Sequence, residues 1–242
     1  MPTRSSSTES KLARLRREVA TAPRQRPTRS VKARRARGRE FALRALWLIA
    51  ILTLPFIIFV RAAVYFSAVT GAWRAVAAGA IVAVLTVTAG AAWVSHRVTG
   101  RARVAMMGKW VALPLVLAWS LHALFYLASV NAKSEQVRGY YSSLHPVLRV
   151  ALATAILANR ELVVTDMARE AADYERMGLP INDRTLHYRQ RDGWVHAVDL
   201  RTIGRPELVN RAVQLYFWSM GFRTLRHVGT ADHLHVQLAV FR

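Results

Sequence analysis

The stretch DHLHVQLAV, residues 232–240, alternates polar and apolar side chains with a period of two. In an extended strand this places His233, His235 and Gln237 on one face and Leu234, Val236 and Leu238 on the other. The apolar face needs a core to lie on, so the strand belongs to a sheet covered on one side. Two imidazoles side by side on the polar face suit a metal site, and equally the solvated edge of a sheet. Upstream, WVHAVDL (194–200) alternates in the same way, with Val195, Ala197 and Asp199 sharing a face. A carboxylate at Asp199 beside two histidines would complete a His/Asp/His set, which leaves zinc an open fourth position.

Around these strands, residues 133–242 read as one α+β domain. SLHPVLRVALATAILAN (143–159) predicts a helix with Pro146 near its start, and ELVVT (161–165) a short strand. Residues 206–220 predict a helix ended by Gly221, and 222–226 a further strand. The expected architecture is a small antiparallel sheet with helices on it. Asp166, Glu170, Asp173 and Glu175 read as a solvated helical face, and His145 as part of a helix start.

The charges divide the rest of the chain. The 242 residues carry 35 basic and 14 acidic side chains, a formal net charge of +21, yet 53% are hydrophobic. Residues 1–40 hold 13 bases and 3 acids, residues 41–132 seven bases and no acid, and residues 133–242 the remaining 15 bases and 11 acids. A chain so apolar is not disordered throughout, and is not a typical soluble nucleic-acid binder. With no cysteine, disulfides and thiolate metal sites are excluded.

The Arg-, Ser- and Pro-rich segment 1–40 cannot bury enough surface to form a core and is expected to be disordered. Three uncharged runs follow, 45–60, 75–94 and 110–132, flanked by arginines or lysine. They predict an all-α membrane region at 41–132, with transmembrane helices at about 43–66, 74–96 and 109–131. Pro55 and Pro114 are tolerable inside such helices. Gly79 and Gly90 leave room for close packing and for association between copies, and His122 is a polar residue inside a span. The basic tail and the loop HRVTGRARVAMMGK (96–109) face the cytoplasm by the positive-inside rule. Three crossings then put residues 133–242 on the opposite side. These features predict a bacterial plasma-membrane protein with a periplasmic or extracellular C-terminal domain.

The order of pieces in that domain is similar to the LAS superfamily of zinc peptidases. These are the D-alanyl-D-alanine carboxypeptidases, related dipeptidases and phage L-alanyl-D-glutamate endopeptidases. The resemblance rests on LHPVLR (144–149), TDMAR (165–169), TLH (185–187), AVDL (197–200), Gly221-Phe222 and DHLH (232–235). It covers about 144–240 and none of the membrane region. It implies Zn2+ held by His187, Asp199 and His235, with Asp232 where those enzymes keep the general base. It further implies that Arg169 binds a substrate carboxylate or steadies the oxyanion, and that His233 touches substrate.

The family sets six residues between its first His and Asp, whereas eleven (YRQRDGWVHAV) separate His187 from Asp199. Either RQRDG is a loop insertion or Asp192 or His196 takes the place of His187. Strand alternation turns His196 away from the Asp199 face. The Gly of the family pattern is Val195 here. The function implied is metal-assisted hydrolysis of peptidoglycan stem peptides, with membrane lipid as a second partner and no nucleic acid. The alternatives are an inert cell-wall-binding module of the same fold, or a protein whose basic tail holds anionic lipid or nucleic acid.

Overall fold

Apolar runs without a single acid fold here as long helices. The structure, a computed structural model, describes residues 11–17, 29–176, 178, 180, 185–229 and 232–239. Two units divide the chain, Met1–Ala50 and Ile51–Arg242. In the first, residues 11–17 are helical and exposed and residues 29–40 are helical as well, so the disorder expected for 1–40 does not hold there; residues 1–10 and 18–28 lie outside the described residues. Helix α1 (Arg29–Ser67) runs for 39 residues, with Pro55 inside it, and ends in the second unit.

Among the described residues, two helices are long and apolar enough to cross a membrane. They are α2 (Ala72–Thr99), of 28 residues, and α3 (Val104–Phe125), of 22. The apolar stretch of α1, Thr53–Ser67, is shorter. Gly100, at φ +73°, closes α2 in the left-handed conformation, its N–H bonded to the carbonyl of His96. Inside α3 the five residues Gly108–Ala112 widen into a π-turn just before Pro114. Proline has no N–H to continue the ladder, and the wider turn absorbs the mismatch. The third apolar run does not stay helical to 131: at Tyr126 the backbone becomes extended. Asn131, buried, instead donates its amide to the carbonyls of Arg160 and Leu162, both at 2.8 Å. At Gly79 a Cβ would come within 2.8 Å of the Phe59 carbonyl oxygen and 3.0 Å of the Ala63 Cβ, so α1 and α2 touch there without a side chain between them.

After α4 (Glu135–Gly139), α5 (Pro146–Ala158) begins at His145, whose Nδ1 caps it by accepting the Val147 N–H at 3.2 Å. Helix α5 is buried on every side from Pro146 to Ala155, which matches its continuous apolar sequence. Arg149 is buried with it. Its guanidinium donates to three carbonyls: Leu144 at 2.7 Å, Ser142 at 2.7 Å and Leu124, in the last turn of α3, at 2.9 Å. Tyr141 adds a bond from its hydroxyl to the Ala123 carbonyl. These groups satisfy carbonyls that a helix end leaves without partners.

A four-stranded sheet lies beyond, in the order β1 (Val164–Asp166), β2 (Ala197–Arg201), β4 (His233–Gln237), β3 (Arg223–His227), every pair antiparallel. The expected strand at 161–165 is shifted toward Asp166 and that at 194–200 toward Arg201. Asp166 therefore sits in the sheet and not on a solvated helical face; α6 (Ala171–Arg176) begins only later. Between β2 and β3 comes α7 (Glu207–Met220), closed by Gly221 at φ +101°. Leu234, Val236 and Leu238 are buried beside Leu148, Leu152 and Phe217 in one core, so the predicted alternation holds.

Candidate metal centre

Register brings the site together. In the β2–β4 pair Asp199 stands directly opposite His235, which sets their side chains on the same face. His187 arrives from the loop before β2, with its ring buried and its Nδ1 2.6 Å from the Met167 carbonyl. That carbonyl can only accept, so the proton is on Nδ1 and the Nε2 lone pair faces inward. His235 is oriented from the other side: its Nε2–H donates to Gln237 Oε1 at 3.1 Å, turning the Nδ1 lone pair toward Asp199.

Three lone pairs therefore converge. His235 Nδ1 is 2.8 Å from Asp199 Oδ1, His187 Nε2 is 3.4 Å from that same oxygen, and the two ring nitrogens are 3.3 Å apart. A positive charge has to sit among them, either a proton or a metal cation. Two donors held ~2.1 Å from a tetrahedral zinc are about 3.4 Å apart, so the three separations match one face of such a tetrahedron, with the Asp199–His235 edge tighter. The electrostatics agree. Burial alone would raise the Asp199 carboxyl, but its bonds to His187 and His235 hold it well below the usual carboxylate range. Burial disfavours charge on His235, and the Asp199 carboxylate overcomes this and raises it.

Of the other predicted residues, Arg169 is close to the set but is engaged. Its Nη2 donates to Asp199 Oδ2 at 3.2 Å, its Nε to Asp166, and its Nη1 to the Tyr174 hydroxyl at 3.4 Å. It orients the Asp199 carboxylate from behind, the role outer groups play around metal ligands. His233 Nε2 lies 3.8 Å from Asp199 Oδ2, with its ring stacked on His227 at 4.6 Å. Asp232 is held by Arg226, at 2.7 and 2.9 Å, and by the Thr202 hydroxyl at 2.6 Å. Those bonds, Arg226 first, push its carboxyl down to about 2. A cavity of about 350 Å³ opens beside His235, lined by Thr185, Arg223, Thr224, His227 and Gln237.

The eleven-residue interval is a turn excursion. The Gln190 N–H bonds to the Trp194 carbonyl at 2.8 Å and Arg189 pairs with Val195, while Gly193 takes φ +82° at the tip. RQRDG thus loops out and returns, leaving His187 near Asp199. Asp192 and His196 stay out of the set. Sequence reasoning did not assign Met167, Gln237, Asp166, Tyr174 or His227. Gln237, two positions beyond His235 on the same face, was the one carrying a signal. No family model matches the chain, and no curated protein or solved structure matches it.

Proposed function

We propose that the chain is a membrane-anchored zinc peptidase acting on peptidoglycan stem peptides, its C-terminal domain on the outer side of a bacterial plasma membrane. The observation that carries this reading is the convergence of the His187, Asp199 and His235 lone pairs, each oriented by a further group. Zinc held there would supply the Lewis acidity that peptide hydrolysis needs. His187 and His235 are fixed in the tautomers that offer lone pairs, and Arg169 keeps the Asp199 carboxylate aligned. The cavity beside His235 is the place for the peptide, with Arg223 on its wall as a cation for a substrate carboxylate. Basic residues on the tail and on the loop joining α2 to α3 support the orientation.

A second reading, an inert cell-wall-binding module, draws on Asp232. A carboxylate clamped by Arg226 and Thr202 is a poor base until those bonds open. Zinc content and muropeptide cleavage by the full-length protein in detergent separate the two. About one zinc per chain, lost in Asp199→Ala, together with cleavage of a pentapeptide stem, supports the peptidase. Zinc without cleavage assigns the module, and a folded protein that takes up no zinc overturns both the metal and the enzyme.

A further inference from the structure

The two residues set aside as ligands, Asp192 and His196, meet His145 in a second cluster whose candidate ligand atoms lie within 4.8 Å of one another. His196 is three residues before Asp199, so strand alternation turns it to the opposite face of the sheet from the metal set. The cluster lies in a cleft of about 1020 Å³ between the α1–α2 loop and the C-terminal domain, whose walls include Gly71, Trp73, Arg74 and Arg191.

The hydrogen bonds distinguish this cluster from the first. His187 gives its Nδ1 proton to a carbonyl, which frees a lone pair for a metal. His145 does the reverse: its Nδ1 accepts the Val147 N–H, so in the neutral ring the proton is on Nε2 and the ring offers an N–H. Burial and the neighbouring His196 push His145 down to about 3, which keeps it neutral at ordinary pH. His196 Nε2 lies 2.8 Å from Asp192 Oδ2 and donates to it. Its other nitrogen, Nδ1, keeps a lone pair, and that atom is buried with no partner, on a side chain only 6% exposed. Just beneath the cleft floor there is thus one donor and one acceptor, both on buried rings. A hydroxyl, which both donates and accepts, complements that pair; the two rings are 4.8 Å apart between centroids.

The surroundings favour an anion. Arg74 and Arg191 make no ion pair among the described residues. Gly71, the residue before α2, makes no side-chain cap, so N–H groups of the first turn of this 28-residue helix are open at the cleft. The buried Arg149 lies under Trp194, 5.1 Å from its ring centre, and adds positive charge. An anionic group with a hydroxyl close by therefore fits better than a cation. The cleft opens where α1 ends and α2 begins, at the end of a helix long and apolar enough to cross a membrane. Trp73, half exposed there, is the residue type that settles at headgroup depth.

We propose that this cleft binds the headgroup of an anionic phospholipid bearing free hydroxyls, of the phosphatidylglycerol type. The phosphate lies against Arg74, Arg191 and the start of α2. A headgroup hydroxyl donates to His196 Nδ1 and accepts from His145 Nε2–H.

Tryptophan emission reports the test, because Trp73 and Trp194 meet edge to face in the cleft wall, 5.9 Å between ring centres. The full-length protein in detergent is titrated with short-chain phosphatidylglycerol, with phosphatidylserine and phosphatidylcholine of the same chain length, with glycerol phosphate and with Zn2+. The expected result is a saturable response to phosphatidylglycerol, at least tenfold tighter than to phosphatidylcholine. Arg191→Gln, an exposed loop change, should weaken it about tenfold, and His196→Leu should abolish the preference over phosphatidylserine. An equal response to phosphatidylcholine, or an unchanged one in Arg191→Gln, overturns the proposal. Glycerol phosphate binding as tightly as the lipid would reassign the cleft to a soluble phosphate. A zinc response lost in His196→Leu but kept in Asp199→Ala would reassign it to a metal.

Discussion

Replacing Arg149 by methionine removes the three bonds that hold Leu144, Ser142 and the α3 residue Leu124 around one guanidinium. Methionine fills the space of the arginine stem but offers no donor. Each buried carbonyl left without a partner costs ~1–3 kcal/mol, and the residue is only 2% exposed, so water reaches the gap poorly. The two buried carbonyls, Leu144 and Leu124, and the half-buried Ser142 carbonyl sum to roughly 2–7 kcal/mol. Against this, no carboxylate is paired with Arg149 among the described residues, and burial lowers its pKa from the ordinary arginine value. Removing an unpaired buried charge therefore returns several kcal/mol. The net expectation is a loss of about 1–4 kcal/mol. For a unit of this size that corresponds to a Tm lower by roughly 3–15 °C, read by thermal unfolding in a mild detergent. Arg149→Lys should recover part of it, since an ammonium keeps the charge but cannot span three carbonyls. A methionine variant as stable as the parent, or more so, would show that the charge costs as much as its bonds contribute, and the reasoning would be wrong.

Two further outcomes concern packing and pH. Gly79→Val puts methyl groups against the Phe59 carbonyl and Ala63 and should cost ~1–3 kcal/mol, whereas Gly90→Val, with nothing within 4 Å of its Cβ, should leave Tm within a degree or two; equal effects at both positions would contradict the contact. His145 is held down to about 3 when folded, against ~6.5 unfolded. Between those values the unfolded chain binds the extra proton, so stability falls as pH drops below ~6.5, by up to ~1.4 kcal/mol per pH unit, and is unaffected above it. His145→Asn, which can still cap α5, should flatten the loss of Tm between pH 7 and pH 5; an identical loss in both proteins would sink the assignment.

The strand pattern at 232–240 was legible because burial on one face of a sheet writes a period of two into the sequence. For the same reason Asp199 and His235 could each be assigned to one face of its strand, although alternation does not say that the two strands pair. The position of His187 was open, because a turn such as RQRDG changes sequence spacing without changing spatial spacing. What alternation cannot give is hydrogen bonding across the fold. Nothing in the sequence marks Asp232 as the partner of Arg226 and Thr202, or the Met167 carbonyl as the group that sets the His187 tautomer. The end of α3 was also hidden, because an uncharged run continues through Tyr126–Asn131 while the chain there turns to bond with the loop before β1.

Arg149 has a consequence for how far the metal set can travel. Only a short connection separates α3 from the domain that carries His187, Asp199 and His235, and that connection is not what limits movement. The guanidinium and Tyr141 join the last turn of α3 directly to α5, so the domain is fixed to the helix end instead of swinging from a tether. The height of the metal set above the helix ends is then a constant of the fold. Under the function proposed above, peptide would have to come to that level to be cut. Lengthening the connection would extend the reach of the domain only if the Arg149 joint were broken as well.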